Sequence, residues 1–123
     1  SETIETALYR IQEPLLRETI RQRVREAARF NDALGLGLTL SEDGSDIYLM
    51  PEGDTSWQNL ERFTLDDFPV LFSKFMDIPL EAAEAKELQR ELIALYERTW
   101  AKAGGRSASR RYLVHLAIVP RED

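Results

Sequence analysis

Residues 36–50 read Leu-Gly-Leu-Thr-Leu-Ser-Glu-Asp-Gly-Ser-Asp-Ile-Tyr-Leu-Met. Leu36, Leu38 and Leu40 alternate with Gly37 and Thr39. Beyond the turn Ser41 to Asp46, Ile47 and Leu49 alternate with Tyr48 and Met50. Period two on both sides of an Asp-Gly turn predicts a β-hairpin. Pro51 then ends the second strand or marks it as an edge. The stretches flanking this hairpin carry the helical period instead, so the hairpin decides the fold class.

Upstream, Ile4, Leu8, Ile11 and Leu15 recur at helical spacing. Pro14 interrupts the pattern and disfavours helix at Glu13. A helix over about 2–12 followed by one over about 14–33 is the simplest reading; a single kinked helix is the alternative. Leu16, Ile20, Val24, Ala27 and Leu34 share a face of the second helix, and Gly35 is placed to end it. Arg23 falls near its apolar edge, where it snorkels outward or meets a carboxylate.

Downstream, 51–63 reads as a polar loop carrying Trp57. Thr64 followed by Asp67 resembles an N-cap with an acid three residues on. It predicts a third helix with Leu65, Phe68, Leu71, Phe72 and Phe75 as its stripe and Pro69 in its early turns. Residues about 79–103 form the longest helix, with Leu88, Leu92, Leu95 and Tyr96 inward and Gly104-Gly105 stopping it. Tyr112 to Val119 is apolar on both alternating sides, which predicts an interior strand covered on both faces, or one covered on one face and lipid- or partner-facing on the other. The expectation is one α+β domain over 1–123, ordered α-α-β-β-α-α-β. In it a small, mainly antiparallel sheet of about three strands packs against about four helices.

Composition narrows the chemistry more than the fold. The chain has 123 residues, no cysteine and one histidine, His115. Thiolate nucleophiles, disulfides, iron–sulfur clusters and Cys-ligated zinc are thereby excluded. His115 alone builds no multi-histidine site, and a lone strand histidine is ordinarily structural. Acid pairs abound, so carboxylate catalysis is a residual option of little weight. Asp43-Gly44-Ser45-Asp46 has too few ligands for an EF-hand loop. Gly35-Leu36-Gly37 lacks a third glycine and precedes a strand, unlike a dinucleotide fingerprint. Gly104-Gly105-Arg106-Ser107 follows a helix, whose C-terminal end repels phosphate. No cofactor or metal is expected, and no catalytic residue is assigned.

The longest apolar run is far short of a membrane span, and the N-terminal Ser-Glu-Thr-Ile-Glu has no signal-peptide pattern. A cytoplasmic location is the expectation. The net charge of −6 and pI near 4.9 disfavour sequence-independent binding to nucleic acid or anionic membrane.

That charge is unevenly distributed. Ser41 to Asp67 holds eight acids against Arg62, a net −7. Arg10 to Arg29 nets +3, and Lys102 to Asp123 nets +3. The acidic middle carries Trp57, with Tyr48 on the polar side of its strand and Asp46, Glu52 and Asp54 nearby. An aromatic ringed by acids suits a basic protein partner, the aromatic anchoring and the acids steering. The bland alternative is that Trp57 covers the edge of the core and the acids serve turns and caps. Arg17, Arg21, Arg25 and Arg29 step by four and form one stripe. They are an alternative anion site for nucleic acid or a phospholigand, or simply a solvated face whose arginines pair with acids elsewhere.

The expected function is therefore a non-enzymatic protein-binding domain: a small regulator, inhibitor, immunity-type or chaperone-like protein. The helical stripes are also apolar enough to allow a homodimer.

Overall fold

A computed structural model describes residues 1–34, 38–40, 47–49, 60–107 and 110–122, with backbone alone at 33–34, 38–40, 47–49, 60 and 62. The chain divides into two compact units, Ser1–Met76 and Asp77–Asp123.

The first unit is organised by α1, Ile4–Leu34, a single helix of 31 residues. Thr3 caps it: its hydroxyl accepts from the Thr6 N–H at 3.1 Å, and its carbonyl accepts from the Ala7 N–H at 3.0 Å. The Thr3 side chain thereby satisfies one of the donors that a helix start leaves open. Pro14 lies inside α1 rather than at the boundary of two helices. A proline withholds one N–H, here the donor to the Arg10 carbonyl, while its φ stays helical. The helix formers around it and the Glu13–Arg17 bond across it at 3.0 Å carry the helix through.

After α1, β1 (Leu38–Leu40) pairs antiparallel with β2 (Ile47–Leu49). Leu38 stands opposite Leu49, Thr39 opposite Tyr48, and Leu40 opposite Ile47. A 3-10 turn follows at Leu60–Thr64.

The predicted third helix does not form. The Thr64 hydroxyl donates backward to the Glu61 carbonyl at 2.6 Å instead of capping forward. Pro69 has no N–H to offer the Leu65 carbonyl, which takes the Phe68 N–H at 3.1 Å. Pro69 also disfavours helical backbone at Phe68. From Leu65 the chain runs through turns and then without helix or strand to Glu81.

What holds this segment is aromatic packing. Phe68 is 8% exposed, and its ring centroid lies 5.0 Å from Phe30 of α1 and 4.6 Å from Phe63. Phe72 meets Phe63 edge-on at 6.2 Å. With Ala27 fully buried, and Phe30, Phe63 and Leu71 partly so, these residues form the core of the unit. Tilted and edge-on ring pairs are the favoured arrangements for aromatics. Asn31 is enclosed beside them at 1% exposure.

The second unit is built on α2, Ala82–Ala103, of 22 residues. It starts three residues after the predicted position and ends where predicted. The Glu84 carboxylate accepts the Glu81 N–H at 3.0 Å, and the Gly104 N–H returns to the Trp100 carbonyl at 2.7 Å. Gly105 has φ of 75°, a left-handed turn that glycine adopts at little cost. From Arg111 to Glu122 the chain forms neither helix nor strand, and Arg121 forms an ion pair with Asp77. That pair closes the unit. A helix of this length spans about 33 Å.

The α+β expectation is thus corrected. The described chain is helical, with two long helices rather than four. Its β structure is confined to the three-residue pair β1–β2, so no three-stranded sheet stands under the helices. Tyr112 to Val119 forms no strand among the described residues. Apolar residues on both alternating sides do not by themselves supply a pairing partner.

Candidate interaction surfaces

Trp57, Asp46, Glu52 and Asp54 lie outside the described residues. Tyr48 sits in β2, its backbone opposite Thr39. The structure does place the arginine stripe. Arg17 bonds Glu13 at 3.0 Å, Arg29 bonds Glu26 at 3.1 Å, and Arg21 is bonded to Glu18. Arg25 acts on the same Glu18 through space. Each acid lies one helical turn before its arginine, so the partners are local rather than supplied by the acidic middle. Such pairs stabilise an exposed helix by about 0.2–0.5 kcal/mol each. They also offset the positive charge that an anion site on this face needs.

Glu18 carries a testable signature of that lacing. The Arg21 guanidinium bonded to it holds its carboxyl below the usual glutamate range, and the Gln22 amide assists at 3.2 Å. A depressed folded value means stabilisation present above the unfolded value of about 4.3 and lost as pH falls through the folded one. Carboxyl-carbon NMR should place the Glu18 midpoint below that of an unfolded control. Glu18→Gln should remove its share of the acid-induced loss of α1 helicity. A midpoint at or above the control contradicts the pairing.

Apolar surface is the other feature. On the N-terminal half of α1, Ile4, Leu8, Ile11 and Leu15 lie on one face and all are exposed. Their 4-3-4 spacing is that of a helix-pairing seam. Farther along, Leu16, Ile20 and Val24 are exposed on a different face, which becomes buried only at Ala27.

In the second unit none of the described residues is buried. Leu88, Leu92, Leu116 and Ile118 are half-covered. Ile93, Tyr96 and Trp100 form an open ridge along one side of α2. The Tyr96 and Trp100 rings lie within 8° of parallel, 6.5 Å apart, and are 58% and 64% exposed. Trp100 is held down at the helix end. A Cβ on Gly104 would stand 2.6 Å from its indole, so only glycine leaves room for the ring there. On the return segment, Arg110 lies 5.5 Å over the Tyr112 ring. Reading the sequence singled out Tyr96 as inward-facing and passed over Trp100. The signal available was Trp100 four residues after Tyr96 and four before a helix-ending glycine.

His115 is exposed on the same segment. Among the described residues no three His, Asp or Glu side chains converge as a metal-ligand set. Nor is any described helix long and apolar enough to cross a membrane. No known protein family, curated protein or solved structure matches this chain.

Proposed function

We propose that this chain is a non-enzymatic protein-binding domain, a small cytoplasmic regulator, inhibitor, immunity-type or chaperone-like protein. The observation that supports the reading is the extent of exposed apolar side chain on both units, from Ile4 and Leu8 on α1 to Trp100 and Val119 in the second unit. Contiguous exposed apolar surface ordinarily marks an interaction site. The acidic stretch 41–67 supplies steering toward a basic protein, with Trp57 as the anchor and Tyr48 as a second aromatic contact. The alternative, an anion site on Arg17, Arg21, Arg25 and Arg29, loses support because three of the four are already paired with carboxylates.

Affinity capture from native extract, with mass spectrometry and nucleic-acid quantification on one eluate, tests the two readings together. A stoichiometric basic protein is the expected result. Trp57→Ala should then weaken its binding at least about thirtyfold while leaving the melting temperature unchanged, as for a hot-spot anchor. A large loss of stability with unchanged affinity places Trp57 in the core and rejects the anchor. Nucleic acid released from the eluate by salt transfers the reading to the arginine stripe.

A further inference from the structure

The charges of the second unit are sorted along it. Asp77–Asp123 contains eight acids and eight bases, so its net charge is zero. Six of the acids and two of the bases lie in 77–97, a net −4. Residues 98–121 hold the other six bases and no acid. Four of those bases, Lys102, Arg106, Arg110 and Arg111, fall within the end of α2 and the chain leaving it, and all four are exposed. Among the described residues Lys102, Arg106 and Arg111 form no ion pair, in contrast to Arg17, Arg21 and Arg29 of α1.

Trp100 stands at the same helix end. The Cβ that Gly104 lacks would come 2.6 and 2.7 Å from Cδ2 and Cε2 of the indole. Those two atoms form the bond shared by the two indole rings, so Gly104 lies against a face of the ring and not its edge. The indole is seated flat there while Trp100 remains 64% exposed. The Tyr96 ring lies parallel to it within 8°. Tyr112 is exposed as well, with the Arg110 guanidinium over its ring.

We propose that the C-terminal end of α2 and the chain leaving it bind single-stranded nucleic acid. Bases stack on Trp100 and Tyr96, and Lys102, Arg106, Arg110 and Arg111 hold phosphates. This site is separate from the acidic stretch 41–67 and from the α1 arginines, and the inference depends on neither. Exposed flat rings among cations are what a single strand needs, because every base has a π-face and the cations track its backbone. The chain's net charge is an average, and a polyanion responds to the charges it meets locally. The helix end itself contributes only about −0.5 of a charge, which four side-chain cations outweigh. Two observations favour a strand over other anions. Lys102 follows Trp100 by two residues, about 200° around the helix. A flat bilayer cannot take both at once, whereas a flexible strand curves round the helix end. An acidic protein, for its part, gains nothing from an indole laid flat with a neighbour parallel to it.

Fluorescence anisotropy of the full chain with a labelled oligothymidylate of about twelve nucleotides tests the site. Trp100→Ala should weaken binding at least about fivefold, the effect of one lost base stack, and Trp100→Phe should stay within about twofold of wild type. Log affinity should fall with log salt at a slope of about −2 to −3, as for three or four phosphates of a single strand. Arg106→Gln combined with Arg111→Gln should flatten that slope by about 1 to 1.5. Arg21→Gln combined with Arg25→Gln should change neither affinity nor slope. Should Trp100→Ala fail to fold, the slope of the Arg106, Arg111 variant decides alone. An affinity weaker than about 100 μM at physiological salt, the weak limit of non-specific binding, overturns the proposal. So does a duplex bound more tightly than the strand, or loss of binding in the α1 variant alone. Polyglutamate that competes as well as the oligonucleotide also overturns it, leaving a general anion patch. Pelleting with phosphatidylserine vesicles in place of oligonucleotide binding overturns it in favour of a membrane surface.

Discussion

Phe68→Ala should lower the stability of the Ser1–Met76 unit by about 3–5 kcal/mol, the usual cost of deleting a buried phenyl ring. The expectation rests on how little else the described part of the unit buries. Ala27 and Phe68 are its buried apolar residues, with Phe30, Phe63 and Leu71 packed partly against them. Phe68 touches both sides of the cluster, Phe30 of α1 at 5.0 Å and Phe63 of the 3-10 turn at 4.6 Å. Removing it leaves two rings without a shared neighbour and releases the segment after Leu65 from α1. Urea denaturation followed by circular dichroism gives the stability change. Amide exchange around Ala27 and Asn31 shows whether protection is lost there first. A change below about 1 kcal/mol means the aromatic cluster is not what holds the unit.

Pro14→Ala has the opposite sign. Alanine is about 3 kcal/mol more favourable than proline in a helix interior, and Pro14 is the eleventh residue of a 31-residue helix. The substitution restores the N–H that the Arg10 carbonyl lacks and removes the clash between the proline ring and that carbonyl. Pro14 is exposed, so no packing is lost. Stability should rise by about 2–3 kcal/mol, read as a higher urea midpoint with unchanged slope. An unchanged midpoint indicates that α1 is already broken at Pro14 in solution.

The two prolines also show where reading the sequence succeeds and fails. Both Pro14 and Pro69 sit within apolar residues at helical spacing. The sequence reading split the chain at the first and carried a helix past the second, and the structure does the reverse. Pro14 is flanked by Glu13, Leu15, Leu16 and Arg17, good helix formers bridged by an ion pair. Pro69 follows Asp66 and Asp67 and restricts Phe68, whose ring is fixed by tertiary contacts with Phe30 and Phe63. The contact with Phe30 joins residues about forty positions apart, beyond any local pattern. The helix stop at Gly104 was legible because it depends on neighbours alone. The arginine stripe was legible too, and so were its acids one turn earlier; the error was to seek their partners at a distance. Tyr112 to Val119 misled in another way, because an apolar run leaves its pairing neighbours undetermined. The neutrality of Asp77–Asp123 was present in the residue count, but it became visible only once the unit's boundary at Asp77 was known.

The ion pair between Asp77 and Arg121 brings the first and nearly the last residue of the second unit side by side. A polypeptide that enters and leaves at one point is a graft with two adjacent ends. Such a module can be set into a surface loop of an unrelated host without forcing the host's own strands or helices apart. Transplanted in this way, residues 77–121 would carry their apolar face with them, a portable patch whose behaviour is measurable apart from the acidic remainder of the chain.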